Sequence, residues 1–471
     1  MTQLALDERL RLPGIALLGA LCGVALAAGG LTAFYLCASL LACGFVLADF
    51  RCGVVLLILI MPISGSATLF PHEMFGIVGL NPLNVLLAVT CCSWLLHAFA
   101  DGSLSRFLPR PLVCLYVVPI LVAGAIGTRH IHEIAPTLLV VYQGLNFPDA
   151  ASYLQEMVLK PLLMVVFALL VAAAAAKSAR PAGFLLPAVI SMCTMAAFVP
   201  VYVAQSGIGL QELASADERT FLSALGLHAN DLGRLYASAY ALLLFTWAEA
   251  RDVPQRWLLL AALGLVVVAA VLTFSRGAFV ELAVVSALYV LWRRSPRTVV
   301  CAAVVAVAAL VLAPAALYER LATGEGAGLD AISAGRVNGL WLPLLPDVLR
   351  HPLFGNGVGS ILWSEAMRRG QTLMVTHPHN AYLQALLDMG LIGTILLCAY
   401  FVHVWQGLRE LGKDPRREPA LRGFFQGAAA ALLGMLVSDF TDSSLVPRPE
   451  QAFLWLAIGL MYGEHARRAS S

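Results

Sequence analysis

Residues 257–292 read WLLLAALGLVVVAAVLTFSRGAFVELAVVSALYVLW, two apolar runs joined by Ser275-Arg276-Gly277, with Arg276 and Glu281 the only charges. A hydrocarbon core of about 30 Å needs about 20 apolar residues per helix, and each run comes near that length. The whole chain has the same character. It has 471 residues, 60% hydrophobic and 12% charged, whereas a soluble domain carries roughly 25% charged residues. Mean hydropathy is +0.83. A string of soluble domains would lack polar surface, and disorder is excluded by the same composition. Lys and Arg number 30 against 28 Asp and Glu, a net charge of +2, which leaves no basic reservoir for nucleic acid. The fold class expected is all-α, a polytopic transmembrane helical bundle.

Comparable runs lie at about 12–30, 31–48, 52–70, 82–99, 111–127, 158–176, 182–203, 231–249, 257–274, 278–292, 298–317, 381–404, 424–441 and 450–463. The pairs broken only by Gly29-Gly30 or by residues 275–277 can be tight hairpins or partial spans, so 12 to 14 helices are expected. Arg9 and Arg11 precede the first run as in a signal peptide, but no A-x-A cleavage site follows. It is read as a retained first helix. All ten cysteines fall in apolar runs, which points to small packing residues and no disulfide framework.

Placing the N-terminus inside puts nineteen Lys and Arg in the inner connections and nine in the outer ones. That bias sets both termini in the cytoplasm. Four segments follow: N-terminal helices 1–225, helices with the Ser-Arg-Gly motif 226–317, a large outer loop 318–380, and C-terminal helices 381–471. Seven of the ten histidines then lie outside: His72, His130, His132, His228, His351, His377 and His379. Within the large loop, the stretches around Trp341 and Trp363 are expected to form short interfacial helices with tryptophan at headgroup depth. Acidic residues are nearly absent from mid-helix positions, which disfavours an ion-coupled transporter.

Four outer motifs carry chemistry. Gly226-Leu-His-Ala-Asn-Asp-Leu-Gly-Arg234 opens a helix, with Asn230 or Asp231 as expected N-cap. Thr273-Phe-Ser-Arg-Gly-Ala278 places Arg276 between apolar runs, where it binds an anion or a carboxylate, or snorkels to headgroups. Ser333-Ala-Gly-Arg336 is followed by Pro352-Leu-Phe-Gly-Asn-Gly-Val-Gly359. That glycine cluster lacks G-x-G-x-x-G spacing and a preceding strand, so it reads as a flexible turn and not a nucleotide loop. Thr376-His-Pro-His-Asn-Ala-Tyr-Leu-Gln384 runs on to Asp388. A neutral imidazole there can take a proton from a hydroxyl nucleophile. His-x-His without a third ligand is a poor zinc site. Paired carboxylates of the hydrolytic kind are not evident.

The order S-R-G-A, G-R, P-L-F-G-x-G-x-G, then H-P-H-N-x-Y-L-Q-x-x-x-D-x-G-x-x-G resembles the O-antigen ligase and O-antigen polymerase superfamily. The likeness covers about 225–463, including Asp439-Phe-Thr-Asp-Ser-Ser-Leu445. It implies about 12 helices and glycosyl transfer at the periplasmic face of the bacterial inner membrane, with no metal, nucleotide or other cofactor. The implied donor is a glycan on undecaprenyl diphosphate. For a ligase the acceptor is lipid A–core; for a polymerase it is a second lipid-linked repeat. Carried over by motif, Arg276 and Arg336 match the diphosphate-binding arginines, His379 the catalytic histidine, and His377 less closely so. Asn230, Arg234, Asn380, Asp388 and Asp442 are supporting candidates. Three readings follow: ligase first, then polymerase, then transporter or non-catalytic export partner. Besides the donor and acceptor, membrane lipids are the expected partners; oligomeric state is not legible.

Overall fold

The computed structural model describes residues 8–64, 73–74, 77–78, 80–102, 108–209, 212, 218–312, 315, 318, 328–441 and 445–470. These are helical apart from turns and one two-residue antiparallel pair, Glu73–Met74 with Ile77–Val78. The principal helices are α1 (Glu8–Ala48), α2 (Phe50–Ile60), α3 (Pro82–Ala100), α4 (Val118–Gly127), α5 (Lys160–Lys177), α6 (Leu185–Ser206) and α7 (Ala229–Glu249). They continue with α8 (Val253–Leu272), α9 (Arg276–Arg293), α10 (Pro296–Leu312), α11 (Leu342–Arg350), α12 (Ala381–Lys413), α13 (Pro419–Ser438) and α14 (Ala452–Ser470).

Among the described residues, six helices are long and apolar enough to cross a membrane: Pro82–Ala100, Ala150–Lys177, Pro181–Ser206, Val253–Leu272, Ala381–Lys413 and Pro419–Thr441. The apolar runs expected at 12–30 and 31–48 form the single long α1, broken at Gly30, whose φ of 63° takes it out of helical geometry. Helices are apolar on both sides. On α4, Ile120 and Ala123 are buried while Val118, Leu121 and Val122 are exposed. A bilayer supplies what such a surface needs, since in water it would drive aggregation.

Small residues bring the central helices together. A Cβ at Gly423 or Gly427 on α13 would come within 2.4 Å of Phe245 O or 2.5 Å of Ala241 O on α7. The same spacing recurs on α14, where a Cβ at Gly459 or Gly463 would lie 2.5 Å from Ala168 O or 2.6 Å from Ala172 O. Apolar helices in lipid gain their association from such close backbone packing. The alanine-rich end of α5 is thus a docking face for α14. Helix α7 is buried almost all round, from Leu232 to Thr246 with only Tyr240 partly open. It forms the centre of the bundle despite its polar first turns.

The large loop holds short helices, but only one has the expected interfacial character. Leu342, Leu345 and Leu349 of α11 are exposed together, while Leu344 is buried. The second stretch departs from expectation. Residues Ser360–Trp363 and Glu365–Arg368 form two short turns of helix, and Trp363 is only 1% exposed. Its indole N–H donates to Asn356 O at 3.1 Å, and its ring stacks on His130 at 5.7 Å. The connection 128–157 folds beneath it and supplies Ile131, Leu138, Phe147 and Tyr153 to one apolar cluster. Trp363 is therefore a core residue joining two connections.

Candidate active site

Helix α12 starts immediately after the histidines. Asn380 caps it, its Oδ1 accepting from Tyr382 N at 3.1 Å and Leu383 N at 3.0 Å. Three turns on, the helix breaks at Gly390, which has φ 63° and ψ −167°. A break inside a membrane exposes backbone groups that need partners. The segment Pro352–Gly359 supplies them: Asn356 N donates to Leu387 O (2.8 Å) and Gly357 N to Asp388 O (3.0 Å). Leu391 N and Ile392 N donate back to Pro352 O (2.8 Å) and Leu353 O (3.1 Å). Contact is so close that a Cβ at Gly355 would sit 2.4 Å from Asp388 C. The glycine cluster expected as a flexible turn is a packed clamp on the broken helix. Asp388 belongs to it: its Oδ1 accepts from Ser360 N (3.0 Å) and Ser360 Oγ (2.9 Å). This carboxylate holds the clamp and does not reach the histidines by any contact seen.

The His377 and His379 rings lie 4.2 Å apart, inclined at 61°. Pro378 between them accepts at its carbonyl from Trp341 Nε1 at 2.9 Å, and Thr376 Oγ1 lies 3.1 Å from His377 Nδ1. His379 has a φ of 50°, a left-handed conformation that costs energy for a residue with a Cβ. The asparagine cap on one side and the indole anchor on the other hold it there. Burial, followed by His379, Arg448, Arg336 and Arg234, holds the His377 imidazole down to about 2. Burial, then Arg336, Arg448 and His228, brings His379 down to about 4, against a weaker opposing pull from Asp231. Both rings are neutral at physiological pH, and a free nitrogen lone pair is what a general base requires.

Arg336 and Arg448 are the two arginines that act most strongly on both rings. Arg336 follows two left-handed residues, Ala334 and Gly335. Its Nη1 donates to Thr441 O at 3.0 Å, fixing it against the end of the 419–441 helix. Arg448, half-buried before α14, has no ion pair among the described residues. It is one of the nine outer Lys and Arg and stands in none of the four motifs. Its neighbours here are about seventy positions earlier in the chain, and nothing local marks it.

Arg234 has a different role from that of a substrate-facing arm. Only 3% exposed, it donates to Asp231 Oδ1 (2.8 Å) and Glu450 Oε1 (3.2 Å), with Asp439 Oδ1 at 3.7 Å. One buried cation ties the start of α7 to the end of α13 and the start of α14. Removing it leaves buried carboxylates without compensation, a loss of about 3–5 kcal/mol for a broken buried pair. Arg234→Ala is therefore expected to lower the melting temperature in detergent sharply, whereas Arg448→Ala leaves it near wild type.

The first turn of α7 also differs from expectation. Its N-cap is His228, whose Nδ1 accepts from Asn230 N at 3.2 Å, and not Asn230 or Asp231. Asp231 is engaged by Arg234 instead. Arg276 stands at the start of α9, half-buried, after a turn in which Ser275 Oγ caps Ala278 N at 3.4 Å. That turn packs on Gly233, where a Cβ would lie 2.8 Å from both Ser275 Cβ and Ala278 Cβ. The turn that carries Arg276 is thereby brought beside Arg234's helix, but Arg276 is not among the charges acting most strongly on either imidazole. Asp442 lies outside the described residues.

Among the described residues no group of three His, Cys, Asp or Glu is placed to hold a metal ion. The site combines a neutral imidazole pair, acted on by two guanidiniums, with a buried ion network and a clamped helix break. Such an arrangement can take a proton on one side and hold a dianion on the other. Residues 259–398 match the family described as O-antigen ligase. No curated protein matches the chain. The matched segment contains Arg276, Arg336, His377, His379 and Asp388, whereas Arg234, Asp439 and Arg448 lie outside it.

Proposed function

We propose, from the premise that residues 259–398 form an O-antigen ligase-type domain of a membrane glycosyltransferase, that the chain moves a glycan from undecaprenyl diphosphate to lipid A–core. The reading places this chemistry at the periplasmic face of the bacterial inner membrane, within 12 to 14 spans and with both termini cytoplasmic. The observation that carries it is the pair His377 and His379, with rings 4.2 Å apart at the capped start of α12, on which Arg336 and Arg448 are the guanidiniums acting most strongly.

In this reading Arg336, Arg448 and Arg276 hold the donor diphosphate. Guanidiniums match phosphate oxygens with paired donors and stay charged at any working pH. His379 accepts the proton of the acceptor hydroxyl as its oxygen attacks the anomeric carbon. The bond from that carbon to the diphosphate oxygen breaks, and undecaprenyl diphosphate leaves with the electron pair. Attack opposite the leaving group inverts the anomeric centre. His379 suits the base role better than His377, because its affinity for a proton lies closer to neutrality. The proton acceptor also becomes stronger only when needed. A bound diphosphate offsets the very arginines that depress His379, so donor binding raises its basicity.

Polymerase chemistry uses the same donor, and the acceptor distinguishes the two. Purified protein offered labelled donor with both lipid A–core and excess unlabelled donor is expected to place label on lipid A–core. Label appearing only in lengthened lipid-diphosphate glycan would make the chain a polymerase.

A further inference from the structure

Helix α5 continues from the helical turns of residues 150–159, whose Tyr153 OH donates to Val358 O at 2.6 Å near the histidine end. Its 18 residues carry it about 27 Å to Lys177 at the opposite end of the bundle. There a groove of about 550 Å³ opens between the end of α1, the start of α2 and the short connection into α6. Its walls are apolar, with Phe45, Val55, Leu56 and Phe184, and its polar groups are Arg51, Arg180 and Ser178. Phe45 is 65% exposed along it.

The charges at the rim do not balance. Arg51 is engaged by Asp49, Nη2 to Oδ2 at 2.6 Å, and Lys177 nearby is engaged by Asp101 at 2.7 Å. Arg180 is exposed and has no ion pair among the described residues. Among the described residues, the two guanidiniums that line the groove meet one carboxylate, which leaves a single positive excess beside its apolar walls.

We propose that this groove seats an acyl chain of an anionic glycerophospholipid, with its phosphodiester on Arg180. A phosphodiester with an uncharged headgroup carries the one negative charge that the rim lacks. A choline or ethanolamine headgroup brings its own cation and cancels the match. Free phosphate would gain nothing from the apolar walls. Basic recesses between membrane helices select anionic headgroups in this way. The site lies at the opposite end from the histidines and does not depend on the reaction assigned to them.

The test uses full-length protein in detergent, with dioleoyl phosphatidylglycerol, dioleoyl phosphatidylcholine or inorganic phosphate as probe. Retention is read by native mass spectrometry and stability by melting temperature. Wild type is expected to retain phosphatidylglycerol preferentially and to melt higher with it. Arg180→Gln should reduce that retention about fivefold, equivalent to about 1 kcal/mol for one basic residue, and leave phosphatidylcholine unchanged. Gly183→Leu fills the groove, since a Cβ there meets no atom within 4 Å, and should reduce retention of both lipids. Undiminished phosphatidylglycerol retention by Arg180→Gln, undiminished lipid retention by Gly183→Leu, or an equal melting shift from inorganic phosphate would each overturn the proposal.

Discussion

Replacing His379 with asparagine is expected to reduce glycan transfer by roughly 10²–10⁴-fold, the contribution of a positioned general base. Asparagine is the informative choice because the site holds this residue at φ 50°, a region asparagine tolerates better than most residues. The backbone, the Asn380 cap and the Trp341 anchor should therefore survive while the proton acceptor is lost. Melting temperature and monodispersity should match wild type. Transfer at the wild-type rate by His379→Asn would remove the imidazole from the reaction. His377→Asn should cost less, since its ring is the more strongly depressed of the two and Thr376 Oγ1 lies beside its Nδ1.

Arg336→Ala is expected to lower kcat/KM for the lipid-linked donor by about 10²–10³-fold, as for loss of one preorganised group that stabilises developing negative charge. The mechanism asks this guanidinium to act on the leaving diphosphate, whose charge grows as the glycosidic bond breaks. Its Nη1 donates to Thr441 O, which orients it against the end of the 419–441 helix. Arg448→Ala should behave similarly. Donor affinity and turnover that both stay normal in Arg336→Ala would exclude it from diphosphate binding. Arg234→Ala should instead fail through stability, because its charge is already used by Asp231, Glu450 and Asp439.

Much of this was legible in the sequence. Apolar runs with few charges dictate membrane helices, and the helices at 229–249, 276–293 and 381–413 begin within two or three residues of the runs that predicted them. Arg336 acts electrostatically on both rings of the His-Pro-His-Asn motif, whereas Arg276 is not among the charges acting most strongly on either. What the sequence hid depends on contacts between distant segments. Arg448 acts on the histidines only once the final helices fold back. Glu450 looks like an ordinary loop acid until Arg234 is buried against it. The glycines at 355 and 357 carry no local sign that a helix break thirty residues later needs their backbone. Trp363 was misplaced for a related reason. An indole can sit at a headgroup or in a core, and only the segment packed under it decides.

The central claim is a neutral imidazole whose basicity is lowered first by burial and then by Arg336 and Arg448, with the arginine part offset by the donor. Held down to about 4 by burial and the arginines, His379 is available as a base at all pH values above that region and is lost below it. In the donor complex the diphosphate offsets Arg336 and Arg448, so protonation of His379 begins at a higher pH. The direct measurement is the pH dependence of transfer by the reconstituted protein, with kcat/KM for the donor reporting the free site and kcat the occupied one. The acid limb of kcat/KM should lie well below 6.5 and below that of kcat, and Arg336→Ala should move it upward. Coincident limbs near 6.5, unmoved by Arg336→Ala, would contradict the account.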